Sequence, residues 1–326
     1  MSARRGWRRL GRRRFRYVDA RERPITDEEQ LERIQALAIP PAWTDVWISP
    51  SPGARLQATG VDSAGRKQYL YHTSFRAARE REKFERLLEL ATLLPRFRAR
   101  ADRHLRADDH GREWTAALAS SLVNKAWFRV GSDRHARRSR TYGVTTLTKR
   151  HVSVVGEEIR FCFRTKGRKL VRRSLASARL AAGVEALLDL PGGSRLFRFQ
   201  RDGELVNLTS ALLNEYIGEH LGAGFTAKDF RTWGGTLLAA AELERRGVAE
   251  SELDAKRTLA AVMRKVGAEL GNTPAVARAS YVSPAVVDAY LAGRTIADFR
   301  LTNGAVPRGL SASEAALAEL LAAAQR

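Results

Sequence analysis

The chain has 326 residues, enough for about two domains of ordinary size, and 44 % of them are hydrophobic, the share of a globular protein with a substantial core. Lys and Arg total 57 against 36 Asp and Glu, a formal net charge of +21. This excess points to a polyanionic partner, because basic groups that neutralise phosphates release counterions, and no apolar run of about 18 residues is present to span a membrane.

Most of the basic residues are arginine, which grips phosphate with a planar, bidentate fork. A base composition rich in Arg codons accounts for Arg over Lys, but not for the shortage of acids. Cys162 is the sole cysteine, so neither a disulfide framework nor a thiolate metal cluster is expected. Its setting in Phe161-Cys162-Phe163 reads as buried and inert. His104 and His110 flank Asp108 and Asp109 in a polar stretch that reads as a loop rather than a metal site.

The first 16 residues are Arg-rich and free of acids. With no apolar segment following, they read as a flexible basic arm for DNA, in a reducing, cytoplasmic setting. Residues 14–18 alternate as a strand. Thr26 with Glu29 forms a capping box for a helix over 27–37, which Pro40 and Pro41 stop. Short strands follow at 46–48, at 56–59 (ended by Gly60) and at 66–72. Residues 76–100 are helical, with Phe84, Leu87, Leu88 and Ala91 on one face, and 111–130 is a second helix. Strands are expected at 144–147, 151–155 and 158–164, with turns at Gly156 and at Lys166-Gly167. From Ser174 onward the chain reads as mostly helical. Thr226 caps a helix with Asp229, and Phe230, Trp233, Leu237 and Leu238 form its apolar stripe. Thr273-Pro274 and Ser283-Pro284 each pair a cap with Pro at the first helical position. Tyr281 is thereby placed at a joint between two short helices.

Cleaving a phosphodiester requires a nucleophile, stabilisation of charge on the non-bridging oxygens and a proton for the leaving oxygen. Nucleases often meet the second need with carboxylate-bound metal ions. No acidic cluster suited to that is evident here, whereas fixed cations are plentiful. Arg129 lies in Trp127-Phe128-Arg129-Val130-Gly131, Lys166 at a hairpin turn, and Arg231 in Lys228-Asp229-Phe230-Arg231-Thr232-Trp233. Asn272 precedes Tyr281 by nine residues in Gly271-Asn272-Thr273-Pro274 and Ser280-Tyr281. Any one of these residues taken alone reads as a solvated charge or an ordinary tyrosine.

In that order the segments resemble the poxvirus-type and bacterial type IB DNA topoisomerases, whose pattern is Arg, Lys, Arg, His or Asn, then Tyr. Tyr142-Gly143-Val144-Thr145-Thr146-Leu147, Ile39-Pro40-Pro41-Ala42-Trp43 and Gly65-Arg66-Lys67-Gln68-Tyr69-Leu70-Tyr71 also resemble the family. The likeness covers nearly the whole chain apart from the first dozen residues and the C-terminal tail. It implies an α+β fold: a small antiparallel-sheet N-terminal domain, residues 1–80, and a mainly helical catalytic domain with a small three-stranded sheet, residues 81–326. The two are expected to close on DNA as a clamp.

The resemblance implies that Tyr281 attacks phosphorus, forming a 3′-phosphotyrosyl link and releasing a 5′-hydroxyl. Arg129 and Arg231 would hold the non-bridging oxygens, Lys166 would protonate the leaving oxygen, and Asn272, where many members have His, would donate to a phosphate oxygen. Relaxation of supercoils of either sign needs no ATP, and no GxxxxGK[ST] loop is present. No cofactor and no metal are expected. Double-stranded DNA is the partner, and the protein is expected to act as a monomer associated with the nucleoid. Arg66, Lys67, Gln68, Tyr69 and Tyr71 match a segment that meets the duplex, with tyrosines packed in the sheet as the plainer reading. Arg134, His135, Arg140 and Tyr142 are further expected DNA contacts, His135 standing where the family usually has Tyr. Gly222-Ala223-Gly224-Phe225-Thr226-Ala227 has the form of a dinucleotide fingerprint but follows a helix, so it reads as a helix stop and cap. Asn207-Leu208-Thr209 is a sequon by chance. Two rival readings are a tyrosine recombinase, which usually carries His-x-x-Arg where this chain has Lys228 to Arg231, and a non-catalytic basic DNA-binding protein.

Overall fold

The computed structural model describes residues 6–12, 14–107, 109–300 and 306–326. Residues are grouped into two compact units, Met1–Lys83 and Phe84–Arg326. The first holds a five-stranded antiparallel sheet of order β2-β1-β3-β4-β5, built from β1 (Trp7–Leu10), β2 (Arg16–Val18), β3 (Thr44–Ile48), β4 (Leu56–Val61) and β5 (Lys67–Tyr71). The helix α1 (Glu28–Ala36) contributes Ile34 to a small core with Trp7, Val46, Ile48 and Ala58.

Three details depart from the sequence expectations in this unit. Part of the expected flexible arm is strand β1: Trp7 is buried, and Arg9 donates to the carbonyls of Ile39, Pro40 and Trp43. A buried indole and these hydrogen bonds order the segment despite its charge. Residues 1–5 and 13 of that arm lie outside the described residues. The cap of α1 is Asp27 rather than Thr26, its carboxylate accepting from the N–H of Gln30 at 2.9 Å. Gly60 does not end its strand but pairs with Gln68; a Cβ there would come within 2.7 Å of the Trp43 ring, so only glycine lets β4 pass.

The second unit holds most of α2 (Thr73–Ala107), then α3 (Arg112–Ala126) and α4 (Asp133–Ser139). A three-stranded antiparallel sheet follows, β6 (Val152–Val155), β7 (Glu158–Arg164) and β8 (Leu170–Ala176), in sequential order. Next come α5 (Ala178–Asp189) and a hairpin of β9 (Arg198–Arg201) and β10 (Glu204–Asn207). The remainder is α6 (Ser210–Leu221), α7 (Ala227–Arg246), α8 (Glu252–Leu270), α9 (Pro274–Tyr281), α10 (Pro284–Leu291) and α11 (Ala312–Ala323). A single large core runs through it, with Phe97, Leu118, Phe197, Phe199, Tyr216, Phe230 and Trp233 fully buried.

The three-stranded sheet is real and two of its strands, β6 and β7, fall where expected, but the third is not the one expected. Residues 144–146 form a 3-10 turn, and the third strand is β8, where the sequence reads as turn and helix. β-branched Val144, Thr145 and Thr146 suit a strand by propensity, yet the N–H groups of Val144 and Thr145 are taken by the carbonyls of Arg129 and Val130. The helix expected over 111–130 ends at Ala126, because Trp127 adopts the left-handed conformation (φ 53°). Cys162 is exposed rather than buried: β7 alternates, with Phe161 and Phe163 facing the core and Cys162 facing solvent. The GxGxxA run is a helix stop and start, with Gly222 ending α6 and Thr226 capping α7 through a capping box with Asp229. Asp108 lies outside the described residues, and His104 sits in α2, its Nδ1 3.0 Å from the Tyr216 hydroxyl. Among the described residues no helix is long and apolar enough to cross a membrane.

Candidate active site

Five segments of the second unit meet at one pocket, four lining it and one supporting it from behind. The first is the stretch after α3. Its helix stops at Trp127, Phe128 plugs the core against Phe161 and Phe163, and Arg129 comes next. The backbone of Arg129 is gripped by the 143–145 turn, where Gly143 is required: a Cβ there would lie 2.4 Å from the Arg129 carbonyl oxygen. The second is the β7–β8 turn, where Gly167 (φ +76°) closes the hairpin and leaves Lys166 exposed at its tip. The third is the first turns of α7, which carry Lys228 and Arg231. These are three residues apart and so share a helix face. The fourth is the C-terminal end of α8, which leads to Asn272. The fifth is α9, whose last residue is Tyr281.

A solvent-open cavity of about 270 Å³ is lined by Arg129, His135, Tyr142, Lys166, Lys228, Arg231 and Tyr281, together with Gly131 and Ser132. Asn272 borders it indirectly: its side-chain oxygen accepts a hydrogen bond from Arg129. That bond orients the amide and leaves Nδ2 buried with no acceptor among the described residues, as is the Nε of Arg129. Buried donors without partners are costly in a folded protein, so an external acceptor that reached these two would be favoured. Arg231 is 4 % exposed and donates to the carbonyls of Trp127 and Leu270, the latter at 2.8 Å. A guanidinium carries five N–H donors, so donors remain for a ligand.

Burial by itself would raise the pKa of the Tyr281 phenol. The charges of Arg231, Arg129 and Lys228, with a hydrogen bond from Arg231, outweigh burial and bring it below the ordinary 10. Burial lowers the Arg231 guanidinium to about 10, partly opposed by Tyr281. Arg231 therefore remains a cation at neutral pH while the Tyr281 phenol beside it loses its proton more readily.

Outside the pocket the expected DNA contacts divide. Arg134 and Arg140 are exposed, on α4 and at its C-cap. On β5, Lys67, Tyr69 and Tyr71 share the solvent face, the two rings stacked with centroids 6.2 Å apart. Tyr69 is 48 % exposed, so these tyrosines are not packed in the sheet. Gln68 lies on the opposite face, its amide donating to Asp62 at 2.8 Å, and Arg66 also binds Asp62. Lys228 also lines the cavity, and its only signal in the sequence is the three-residue spacing from Arg231.

The catalytic-core model of eukaryotic DNA topoisomerase I matches residues 72–290, and the N-terminal domain model of bacterial DNA topoisomerase IB matches residues 14–62. The chain is 31 % identical to a DNA topoisomerase 1B of Acanthamoeba polyphaga mimivirus, over 84 % of this chain and 83 % of the viral one. It is 24 % identical to a DNA topoisomerase 1B of Vaccinia virus and 22 % identical to a DNA topoisomerase I of Monkeypox virus, each over 81 % of this chain and 83 % of the relative. With the α+β fold and the pocket described above, this chain belongs to the type IB DNA topoisomerase family. It is accordingly a DNA topoisomerase, an isomerase that binds DNA.

Proposed function

We propose that the chain nicks one strand of duplex DNA through Tyr281, lets the duplex swivel and reseals it, relaxing positive and negative supercoils without ATP or metal. The observation that carries this reading is the placement of Tyr281 in one cavity with Arg129, Lys166 and Arg231, the Arg231 guanidinium carbon 5.2 Å from the ring centroid.

In the forward step the Tyr281 oxygen gives its proton to solvent water in the open cavity and bonds to phosphorus, and the bond from phosphorus to the 5′-oxygen breaks. Arg129 and Arg231 neutralise charge on the non-bridging oxygens, and the unpartnered Nδ2 of Asn272 donates to one of them. Lys166 passes a proton from its ammonium to the departing 5′-oxygen. Resealing is the reverse: the 5′-hydroxyl attacks phosphorus, Lys166 takes its proton, and Tyr281 leaves and regains a proton from solvent water. The phosphodiester energy is held in the tyrosyl ester throughout, so no nucleotide is hydrolysed. Duplex contacts come from Lys67, Tyr69 and Tyr71 of the first unit, with Arg66 and Gln68 beside them, and from Arg134, His135, Arg140 and Tyr142 of the second. The enzyme acts as a monomer on nucleoid DNA, with residues 1–80 serving as clamp domain and residues 81–326 as catalytic domain.

The test is relaxation of a supercoiled plasmid in excess chelator and without ATP, followed by denaturation to trap protein on the 3′ end. Native protein relaxes both signs and forms the adduct, while Tyr281→Phe binds DNA but does neither. Relaxation by Tyr281→Phe, or loss of native activity in chelator, overturns the reading.

A further inference from the structure

The C-terminal end of α8 is an unusual meeting point of cations. Four consecutive carbonyls there each accept from a different basic side chain. Glu269 accepts from Arg173 at 3.1 Å, Leu270 from Arg231 at 2.8 Å, Gly271 from Arg129 at 3.4 Å and Asn272 from Lys169 at 2.8 Å. A helix C-terminus leaves its last carbonyls without intrahelical donors and carries partial negative charge, so it gathers cations.

The end of α3 is used in the same way. The Ala126 carbonyl accepts from Arg173 and the Trp127 carbonyl from Arg231. Arg173 and Arg231 are thus two parallel rungs between the same two helix ends, one residue apart on each. Arg231 belongs to the proposed machinery, whereas Arg173 does not line the pocket. Arg173 stands on β8, the strand leading away from the Lys166 turn, and its guanidinium lies 6.0 Å from the Trp127 ring and 5.9 Å from the Phe128 ring. The carboxylate of Glu269 grips it as well. Its side chain is 18 % exposed. One side chain therefore joins the hairpin carrying Lys166, the segment leading to Arg129 and the segment leading to Asn272.

We propose that Arg173 is a positioning residue for strand cleavage, holding the Lys166 hairpin, Arg129 and Asn272 in register through its fork between the ends of α3 and α8. The role rests on the proposed tyrosine chemistry and touches neither DNA nor the reacting atoms. A bidentate guanidinium is required, because a lysine ammonium is a point charge that cannot span both helix ends.

The test compares native protein, Arg173→Met and Arg173→Lys in equilibrium DNA binding, in single-turnover formation of the covalent adduct and in thermal unfolding. In Arg173→Met the adduct forms about 100-fold more slowly, the scale of loss when a displacement of about 1 Å disturbs aligned groups. DNA affinity stays within about threefold, since a positioning defect acts on the chemical step rather than on binding. Arg173→Lys recovers only part of the rate. An unchanged rate in Arg173→Met, a loss of affinity as large as the loss of rate, or full recovery with Lys overturns the proposal. If Arg173→Met does not fold, Glu269→Ala, at an exposed position on α8, removes one grip on the fork; slower adduct formation supports the role and an unchanged rate overturns it. Failure of native protein to form any adduct sinks the proposed function itself, whereas a normal native enzyme with an unaffected Arg173→Met sinks only this inference.

Discussion

The guanidinium carbon of Arg231 lies 5.2 Å from the centre of the Tyr281 ring, although one residue opens α7 and the other closes α9. The contact joins a buried cation to a buried phenol, and it decides which way the phenol titrates. Burial pushes the Tyr281 pKa up, while Arg231, Arg129 and Lys228 pull it down further. Cleavage is expected to rise with pH with an apparent pKa below 10. Arg231→Gln removes the largest opposing charge and its hydrogen bond, so the rise shifts to higher pH. The rate also falls by about 10²–10³-fold, the usual loss for one preorganised donor. Single-turnover cleavage from pH 6 to 10 measures both; an unshifted profile counts against the electrostatic coupling.

Gly235 lets α7 run close against the backbone of Tyr281. A Cβ there would meet the Tyr281 carbonyl oxygen at 2.7 Å and its Cβ at 3.1 Å. Backbone cannot swing aside as a flexible side chain does, so Gly235→Ala must push α9 away. A loss of about 1–3 kcal/mol is expected from overpacking, even though Ala favours helix. Slower adduct formation accompanies it. Urea unfolding and adduct kinetics on the same sample test this, and a more stable, fully active variant contradicts it.

The Thr236 hydroxyl, next along α7, spans the joint that follows Tyr281. It donates to the Tyr281 carbonyl and accepts from the Ser283 N–H, both at 3.2 Å. Thr236→Val keeps the shape but leaves both backbone groups buried and unpaired, at a cost of about 1–3 kcal/mol for each group left unsatisfied. Thr236→Ser should restore most of the stability. Equal unfolding midpoints for Val and Ser variants would falsify the bridging role.

Glu314 of α11 is buried and accepts from both terminal nitrogens of Arg98, from Trp233 and from the Ser311 N–H. Burial raises its pKa, but the Arg98 fork and the other donors bring it below the ordinary 4.5. Because the folded-state value is depressed, its contribution is present above the unfolded pKa and is lost as pH falls through the folded one. Glu314→Gln is therefore expected to destabilise the protein by about 1–3 kcal/mol at pH 7, the scale of charged hydrogen bonds. The gap between variant and native should close on acidification below pH 4.5. A gap independent of pH would show that the carboxylate charge is not what stabilises α11.

Tyr69 and Tyr71 are exposed on β5, so replacing either with Ala should change stability by no more than about 0.5 kcal/mol. DNA affinity is expected to fall, with little change in the rate of cleavage once DNA is saturating. Filter binding and saturating single-turnover assays separate the two; a stability loss without a binding loss would return these rings to a packing role.

How much of this was readable beforehand depended on whether a signal was local. Most helix caps were: Thr226 and Thr273 cap through their hydroxyls, and Ser283 is the N-cap before Pro284 although its hydroxyl makes no cap bond, whereas Thr26 yielded to Asp27. Strand propensity was less reliable. Val144 to Leu147 has the composition of a strand, yet the 143–145 backbone is recruited to hold Arg129, a long-range demand that no local window contains. β8 was hidden by its run of arginines; it is a strand because it pairs with β7 residue by residue from Arg164↔Leu170 to Glu158↔Ala176. Trp7 likewise became strand rather than arm because a pocket beside Ile34 and Ile48 was available for its ring.

The sequence by itself determined the family, the charge that suits DNA, the α+β composition and the joint on which Tyr281 stands, because each is written in residue order, counts or caps. Only the tertiary structure decided that Arg129, Lys166, Arg231 and Tyr281 share one cavity, and that four cations converge on the end of α8. Orphan carbonyls at a helix end attract whichever basic side chains the fold brings near. In a chain with 57 lysines and arginines, spacing cannot single those out, and packing can.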